Sequence, residues 1–320
     1  MPSPTSLPRV SARSWRVDGV TTLAIVGPTA SGKSRCAMAV ARGRLQQGRP
    51  TELVAIDAFT VYRGMDVGTA KASPEDRQEV PHHLVDVLEP WEDLTVAQFQ
   101  VMARQAIAQV IARGATPLLV GGSGLYWRAV VDDLSFPPTD PDVRARLTGR
   151  WERDPDGAHQ QLTARDPAAA ARIDPPNVRR TIRALEVIEL TGQPFSLFDD
   201  RWDDHRSIYD DLEVAYLEPP AEELRAAIHG RARAMVAVGL LDEARALLAA
   251  PRALSRTARQ AIGYQEAFAV LGGRAPIEDL AATIASRTWR YARRQRSWFR
   301  ADPRCEPSQA RPVQERFVHR

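Results

Sequence analysis

Thr22-Leu23-Ala24-Ile25-Val26-Gly27-Pro28-Thr29-Ala30-Ser31-Gly32-Lys33-Ser34 is the stretch whose reading decides the fold. Thr22 to Val26 is a short apolar run that stops at a glycine, the pattern of a buried strand. Gly27 to Ser34 then matches the phosphate-loop pattern G-x-x-x-x-G-K-S, and Lys33 to Arg44 reads as a helix. A strand entering the loop and a helix leaving it form the context in which this pattern holds phosphate. Gly27 and Gly32 let backbone amides converge on phosphate oxygens, and the helix N-terminus adds positive potential. Pro28, Thr29, Ala30 and Ser31 complete the loop; Lys33 can neutralise phosphate charge and the Ser34 hydroxyl can ligate Mg²⁺.

Outward from this loop the chain alternates. Leu53 to Ile56 is a second apolar run ending at Asp57, Val96 to Arg113 has helical spacing, and Thr116 to Val120 is a third run closed by Gly121 and Gly122. Strand and helix in alternation predict an α/β fold: a P-loop core with a parallel sheet flanked by helices. From Pro137 to Arg206 the pattern is helical and broken by prolines, which predicts a helical insertion domain. Leu212 to Leu217 returns to strand character, and Ala221 to Ala250 and Pro276 to Phe299 read as long helices. The expected organisation is a flexible tail over 1–20, a core over 21–136 and 207–305, the insertion over 137–206, and a second flexible tail over 306–320.

Composition narrows the class. Apolar residues make up 44% of the chain and charged residues 26%, as in ordinary globular proteins. No run approaches the roughly 20 apolar residues of a membrane helix, so no membrane association is expected. The first residues lack the apolar segment of a secretory signal. Cys36 and Cys305 lie far apart, which argues against a disulfide framework and for a cytoplasmic setting. The formal net charge is only +3, yet Arg287, Arg290, Arg293, Arg294, Arg296, Arg300 and Arg304 crowd one segment around the single acid Asp302. Such a patch suits either nucleic acid or a solvated helix face. Lys33 and Lys71 are the only lysines among 43 basic residues. A compact ammonium and a planar guanidinium are not interchangeable at a tight site, so both lysines are candidates for specific roles.

A phosphate loop ordinarily serves ATP or GTP. Here the run ending at Val120 meets Gly121-Gly122-Ser123-Gly124 rather than an acid. Asp57 is the carboxylate at a strand end, and spacing alone leaves open whether it holds Mg²⁺ or acts as a general base. His82 and His83 beside Asp86 lack the further ligands of a zinc site, and packing is the expected role.

Asp57-Ala58-Phe59-Thr60-Val61-Tyr62-Arg63-Gly64-Met65-Asp66-Val67-Gly68-Thr69-Ala70-Lys71 closely resembles a signature of the tRNA dimethylallyltransferase (tRNA isopentenyltransferase) family. Pro81 to Asp86, Pro117 to Tyr126, Arg183 to Val187, Ala261 to Tyr264, and Tyr291 to Gln295 with Trp298 to Arg300 follow in the family's order. The resemblance covers roughly Leu23 to Arg300. It implies an enzyme that moves the dimethylallyl group from dimethylallyl diphosphate to N6 of the adenosine 3′-adjacent to the tRNA anticodon, with Mg²⁺.

The resemblance also implies roles. The phosphate loop would hold the donor's diphosphate, Asp57 would take the proton from the adenine amine, Ser123 would contact the substrate there, and Arg231 would close on the diphosphate. The implied tRNA contacts are Asp57, Ala58, Phe59, Thr60 and Ser123 at the reacting site. Arg144, Arg179, Arg180, Thr181, Ile182 and Arg183 would make contacts in the insertion, and Gln260, Ala261, Ile262, Gly263, Tyr264 and Gln265 near the end of the core. The target base would be flipped out of the anticodon loop. The chain departs from the family at Phe59 and Thr60, where Met and Gln are usual, and at Ala72, where proline is usual. Losing the glutamine amide removes a two-way hydrogen-bonding group and touches the contacts to neighbouring nucleotides. The aromatics between Trp289 and Phe299 are expected mostly in the core, and a monomer is expected. A nucleotide kinase would not account for the insertion or the Asp57–Lys71 signature. A prenyltransferase acting on free nucleotides needs no RNA platform. A non-catalytic RNA-binding protein has no use for the loop and the carboxylate together.

Overall fold

The computed structural model describes residues 20–198 and 204–320. The expected tail over 1–20 therefore lies, but for its last residue, outside the described residues. In chain order the elements are β1 (Thr22–Val26), α1 (Lys33–Gln46), β2 (Thr51–Ile56), α2 (Pro74–Glu79), β3 (His82–His83), α3 (Val96–Ala112), β4 (Thr116–Gly121) and α4 (Gly124–Val131). Then follow α5 (Pro141–Trp151), α6 (Pro155–Arg165), α7 (Pro167–Arg172) and α8 (Val178–Thr191). The chain closes with β5 (Leu212–Leu217), α9 (Ala221–Ala237), α10 (Leu240–Leu248), α11 (Arg256–Arg259), α12 (Tyr264–Leu271), α13 (Leu280–Ala301), β6 (Pro307–Ser308) and α14 (Ala310–His319). The chain divides into two compact units, one formed by Met1–Asp132 with Ser207–Arg320 and the other by Asp133–Arg206.

In the larger unit the described strands form one six-stranded sheet in the order β3-β2-β4-β1-β5-β6, and every pairing is parallel. Successive side chains of a strand point to opposite faces, and here both faces are covered. Leu23 and Ile25 of β1 pack with Cys36, Met38 and Val40 of α1. Ala24 and Val26 share the larger core with Phe99 and Ile107 of α3, Trp127 of α4, Ile228 of α9 and Phe299 of α13. Two covered faces explain why the strands read as unbroken apolar runs.

Three expectations about this unit are corrected. Residues 306–320 are not a frayed tail: β6 pairs with β5, and α14 lies on the α1 side of the sheet with Val313 and Phe317 1% and 0% exposed. Its last carbonyls are capped from α1 and the turn after it: Arg44 donates to the Phe317 carbonyl at 2.9 Å and Arg49 to that of Val318. The segment looked polar because only two side chains, one helical turn apart, meet the core. The second correction concerns Ala221 to Ala250, which is two helices. Gly239 sits between them at φ 109°, in the left-handed region that a side chain disfavours. The helix expected from Pro276 begins at Leu280.

The smaller unit is helical. Three of the four Asp-Pro pairs that punctuate its sequence are helix starts. Asp140, Asp154 and Asp166 cap α5, α6 and α7 by accepting backbone N–H groups, with proline next in each, a position where its missing N–H costs nothing. Leu147, Leu162, Ile182, Leu185 and Ile188 form its core. Glu186, fully buried, accepts from Arg144 at 2.5 Å, Arg183 at 2.7 Å, Thr139 at 2.7 Å and the Asp140 N–H at 2.9 Å. Burial alone would raise the pKa of this carboxyl; the two arginines outweigh it and hold the group below its ordinary value.

Candidate active site

Parallel strands deliver their C-terminal ends to one edge of the sheet, the usual place for a ligand in such folds. Val26 and Ile56 both stand opposite Gly121 in the strand register. Gly27, Asp57 and Gly122 are therefore the next residues along three adjacent strands, which lie about 4.8 Å apart. Thus the phosphate loop, the carboxylate and the Gly121–Gly124 turn, distant in sequence, arrive side by side. The glycines permit this crowding. A Cβ on Gly27 would lie 2.5 Å from the Leu217 carbonyl, and one on Gly121 would lie 2.6 Å from that of Ile56.

The edge opens into a cavity of about 420 Å³, within the range of small-molecule sites. Thr29, Lys33, Ser34, Asp57 and Arg231 line it together with Gly122. The loop turns into α1 at Gly32, φ 83°. The Lys33 ammonium donates to the Pro28 carbonyl at 3.2 Å. Burial first, and the Arg231 charge second, pull the Lys33 pKa down to about 8, with Asp57 working against both. Burial also lowers Arg231, and Asp57 again opposes. Arg231 donates to the Thr69 carbonyl at 3.2 Å. Asp57 Oδ1 accepts the N–H of Phe59 at 2.8 Å and of Thr60 at 3.3 Å, an Asx-turn that fixes the carboxylate plane. Two cations and one oriented carboxylate thus share one cavity wall. The Ser34 hydroxyl lines the cavity and is a hard oxygen donor of the kind that would hold Mg²⁺ there.

Phe59 and Thr60 line the cavity beside Asp57, and Thr60 Oγ1 is buried without a protein partner. Ala261 and Ile262 also line it. Ala58 packs against the core. Ser123 differs from expectation: it stands outside the cavity lining, at the N-terminus of α4, and engages the Tyr291 hydroxyl. Tyr264 is also different. It is fully buried, and its hydroxyl donates to Glu243, whose carboxylate receives the N–H groups of Asp66 and Val67 at 2.9 and 3.0 Å. Gly263 is buried as well, whereas Gln260 and Gln265 are exposed. In the smaller unit Arg179 and Arg180 are exposed. Thr181 and Ile182 face the core at 0% and 5% exposure, so their side chains cannot reach an RNA. Arg144 and Arg183 are committed to Glu186.

The arginine-rich segment divides: Arg290, Arg293 and Arg294 are exposed, and the other four pair with acids. Arg287 pairs with Glu266, Arg296 and Arg300 with Glu218, and Arg304 with Asp132 and Asp302. Lys71, 2% exposed, grips Asp66 at 2.7 Å and Asp86 at 2.5 Å, so it ties down the signature loop. His82 bonds the Val80 carbonyl at 2.7 Å and His83 bonds Glu52 at 2.6 Å. Two site residues carried no role in the sequence reading, Tyr291 and Gln295. They sit one helical turn apart on the inner face of α13 and line the cavity. Burial and the Asp57 charge push the Tyr291 phenol up to about 12, against hydrogen bonds from Ser123 and Gln295. Their signals in the sequence were the matched family stretch Tyr291 to Gln295 and a polar glutamine on the buried stripe of an amphipathic helix.

A phosphate loop, two cations and a carboxylate at the open edge of a parallel sheet define a P-loop protein built for transfer from a phosphorylated donor. A family model described as IPP transferase matches residues 60–302, and the chain belongs to that family of transferases. The tRNA dimethylallyltransferase of Bifidobacterium adolescentis is 46% identical over 289 residues, covering 90% of this chain and 84% of the relative. That of Kineococcus radiotolerans is 48% identical and covers 88% of each. The solved full-length tRNA isopentenylpyrophosphate transferase of Bacillus halodurans is 35% identical, with a TM-score of 0.65 over 93% of this chain and 95% of its own.

Proposed function

We propose that the chain transfers the dimethylallyl group of dimethylallyl diphosphate to N6 of the adenosine 3′-adjacent to the anticodon of tRNA, releasing diphosphate. The observation that carries this reading is Lys33, Arg231 and Asp57 around one cavity. The reaction breaks the allylic C–O bond and leaves its electrons on the diphosphate. Charge grows there, where the loop amides, Lys33 and Arg231 converge, and stabilising such charge is commonly the largest part of catalysis. The N6 lone pair forms the new C–N bond, and the amine must lose a proton. Asp57 has one carboxylate oxygen held by two amides, which leaves the other to take that proton. Mg²⁺, held by Ser34 and the diphosphate, would supply further charge neutralisation.

For the RNA, Phe59 and Thr60 in the cavity wall and the exposed Gln260, Gln265, Arg179 and Arg180 are the contacts best supported by exposure. A tRNA substrate supports a cytoplasmic setting for the protein. Incubating unmodified tRNA with dimethylallyl diphosphate, Mg²⁺ and the protein, then weighing the tRNA digest, tests the reading. The expected product is an adenosine heavier by one dimethylallyl group. Asp57→Asn should lower the rate by about 10²- to 10⁴-fold while retaining diphosphate binding. An unmodified tRNA, or a fully active Asp57→Asn, would refute it.

A further inference from the structure

The phosphate loop and the Gly121–Gly124 turn belong to different strands, yet one side chain joins them. Gln295 of α13 accepts the Thr29 N–H on Oε1 at 2.9 Å and donates from Nε2 to the Gly122 carbonyl at 2.7 Å. It is 5% exposed, and its bond to Gly122 is buried, where an unpaired partner is costly. The fit around it is tight. A Cβ on Gly122 would come within 2.7 Å of Gln295 Nε2, 2.9 Å of the Gly27 carbonyl and 3.4 Å of Lys33 Nζ. Only glycine leaves room for the amide, and only a neutral side chain with one donor and one acceptor satisfies both partners. One turn earlier on the same face, Tyr291 engages Ser123 at the other end of that turn.

We propose that Gln295 is a positioning residue that fixes the phosphate loop against the Gly121–Gly124 turn and so sets the distance between the departing diphosphate and the acceptor amine. It touches neither reacting atom. Its effect is on geometry, and misplacing reacting groups by about 1 Å can cost roughly 10²-fold in rate. The inference rests on the prenyl-transfer reading.

The test compares wild type with Gln295→Met, which keeps the length and removes the hydrogen bonds to Thr29, Gly122 and Tyr291, and with Gln295→Glu, which keeps the acceptor for Thr29 but sets a carboxylate against the Gly122 carbonyl. Single-turnover transfer, donor KM, and calorimetric affinity for inorganic diphosphate and for tRNA are measured well below each variant's Tm. The expected result for Gln295→Met is a fall in kcat of about 10²-fold, a much smaller change in donor KM and unchanged tRNA affinity. Gln295→Glu should lose more rate than Gln295→Met. A packing role alone would lower Tm and leave kcat intact, and that outcome overturns the proposal. If Gln295→Met does not fold, Gly122→Ala, which displaces the amide while keeping the glutamine, must show the same loss of kcat; wild-type kcat there also overturns it. A wild type that binds diphosphate but transfers nothing to tRNA sinks the parent reading instead, and the diphosphate and tRNA affinities of the variants identify that case.

Discussion

Among the phosphate-loop residues, Lys33 has its chemistry strongly altered by its surroundings. Its ammonium is pulled down to about 8 by burial and by Arg231, so in the free protein the charge is lost as pH rises through that value. A bound diphosphate favours the charged form, and binding above that pH must take up a proton. Affinity for inorganic diphosphate is therefore expected to fall as pH rises past about 8, by up to about tenfold per unit. Lys33→Arg, which stays charged, should flatten this dependence. Calorimetry in buffers of different ionisation enthalpy reads both the affinity and the proton. A flat profile in the wild type would show that Lys33 does not meet the phosphate.

At the scale of elements, α14 is the part whose importance the structure raised most. Phe317 is fully buried against α1 and the sheet, and Arg44, 3% exposed, spans Thr51, Thr116 and the Phe317 carbonyl. Removing an aromatic ring from such a site typically costs about 3–5 kcal/mol. Phe317→Ala should lower the denaturant midpoint correspondingly without touching the cavity. An unchanged midpoint would return 306–320 to the status of a loose tail. The same logic explains the strands: each inward position has a helix over it, so apolar runs and not alternation mark them.

Across the whole molecule, the basic residues divide into those that hold the fold and those left for a partner. Arg144 and Arg183 neutralise Glu186 inside the smaller unit, whereas Arg179 and Arg180 stand exposed at the start of α8. Replacing Arg179 and Arg180 with Gln should weaken tRNA binding and reduce the slope of log affinity against log salt by roughly one to two. Arg144→Gln should instead lower the stability of the unit, because it strips a partner from a buried carboxylate. Equal salt slopes for wild type and the Arg179/Arg180 double variant would remove that surface from RNA recognition.

Local chemistry was legible from the chain alone. The loop Gly27–Ser34, the carboxylate at the end of β2, the parallel α/β class and the helical insertion all follow from patterns whose cause is local: glycine geometry, strand ends and apolar periodicity. What required the tertiary structure were relations between distant residues. The bond between Gln295 and Gly122, the commitment of Arg144 and Arg183 to Glu186, the burial of Thr181 and Tyr264, and the docking of α14 carry no local signature. An arginine reads the same in sequence whether it faces water or a buried carboxylate. Only the folded chain decides which of its charges are satisfied at home and which remain for a ligand, because that depends on the through-space neighbours that desolvate and pair them.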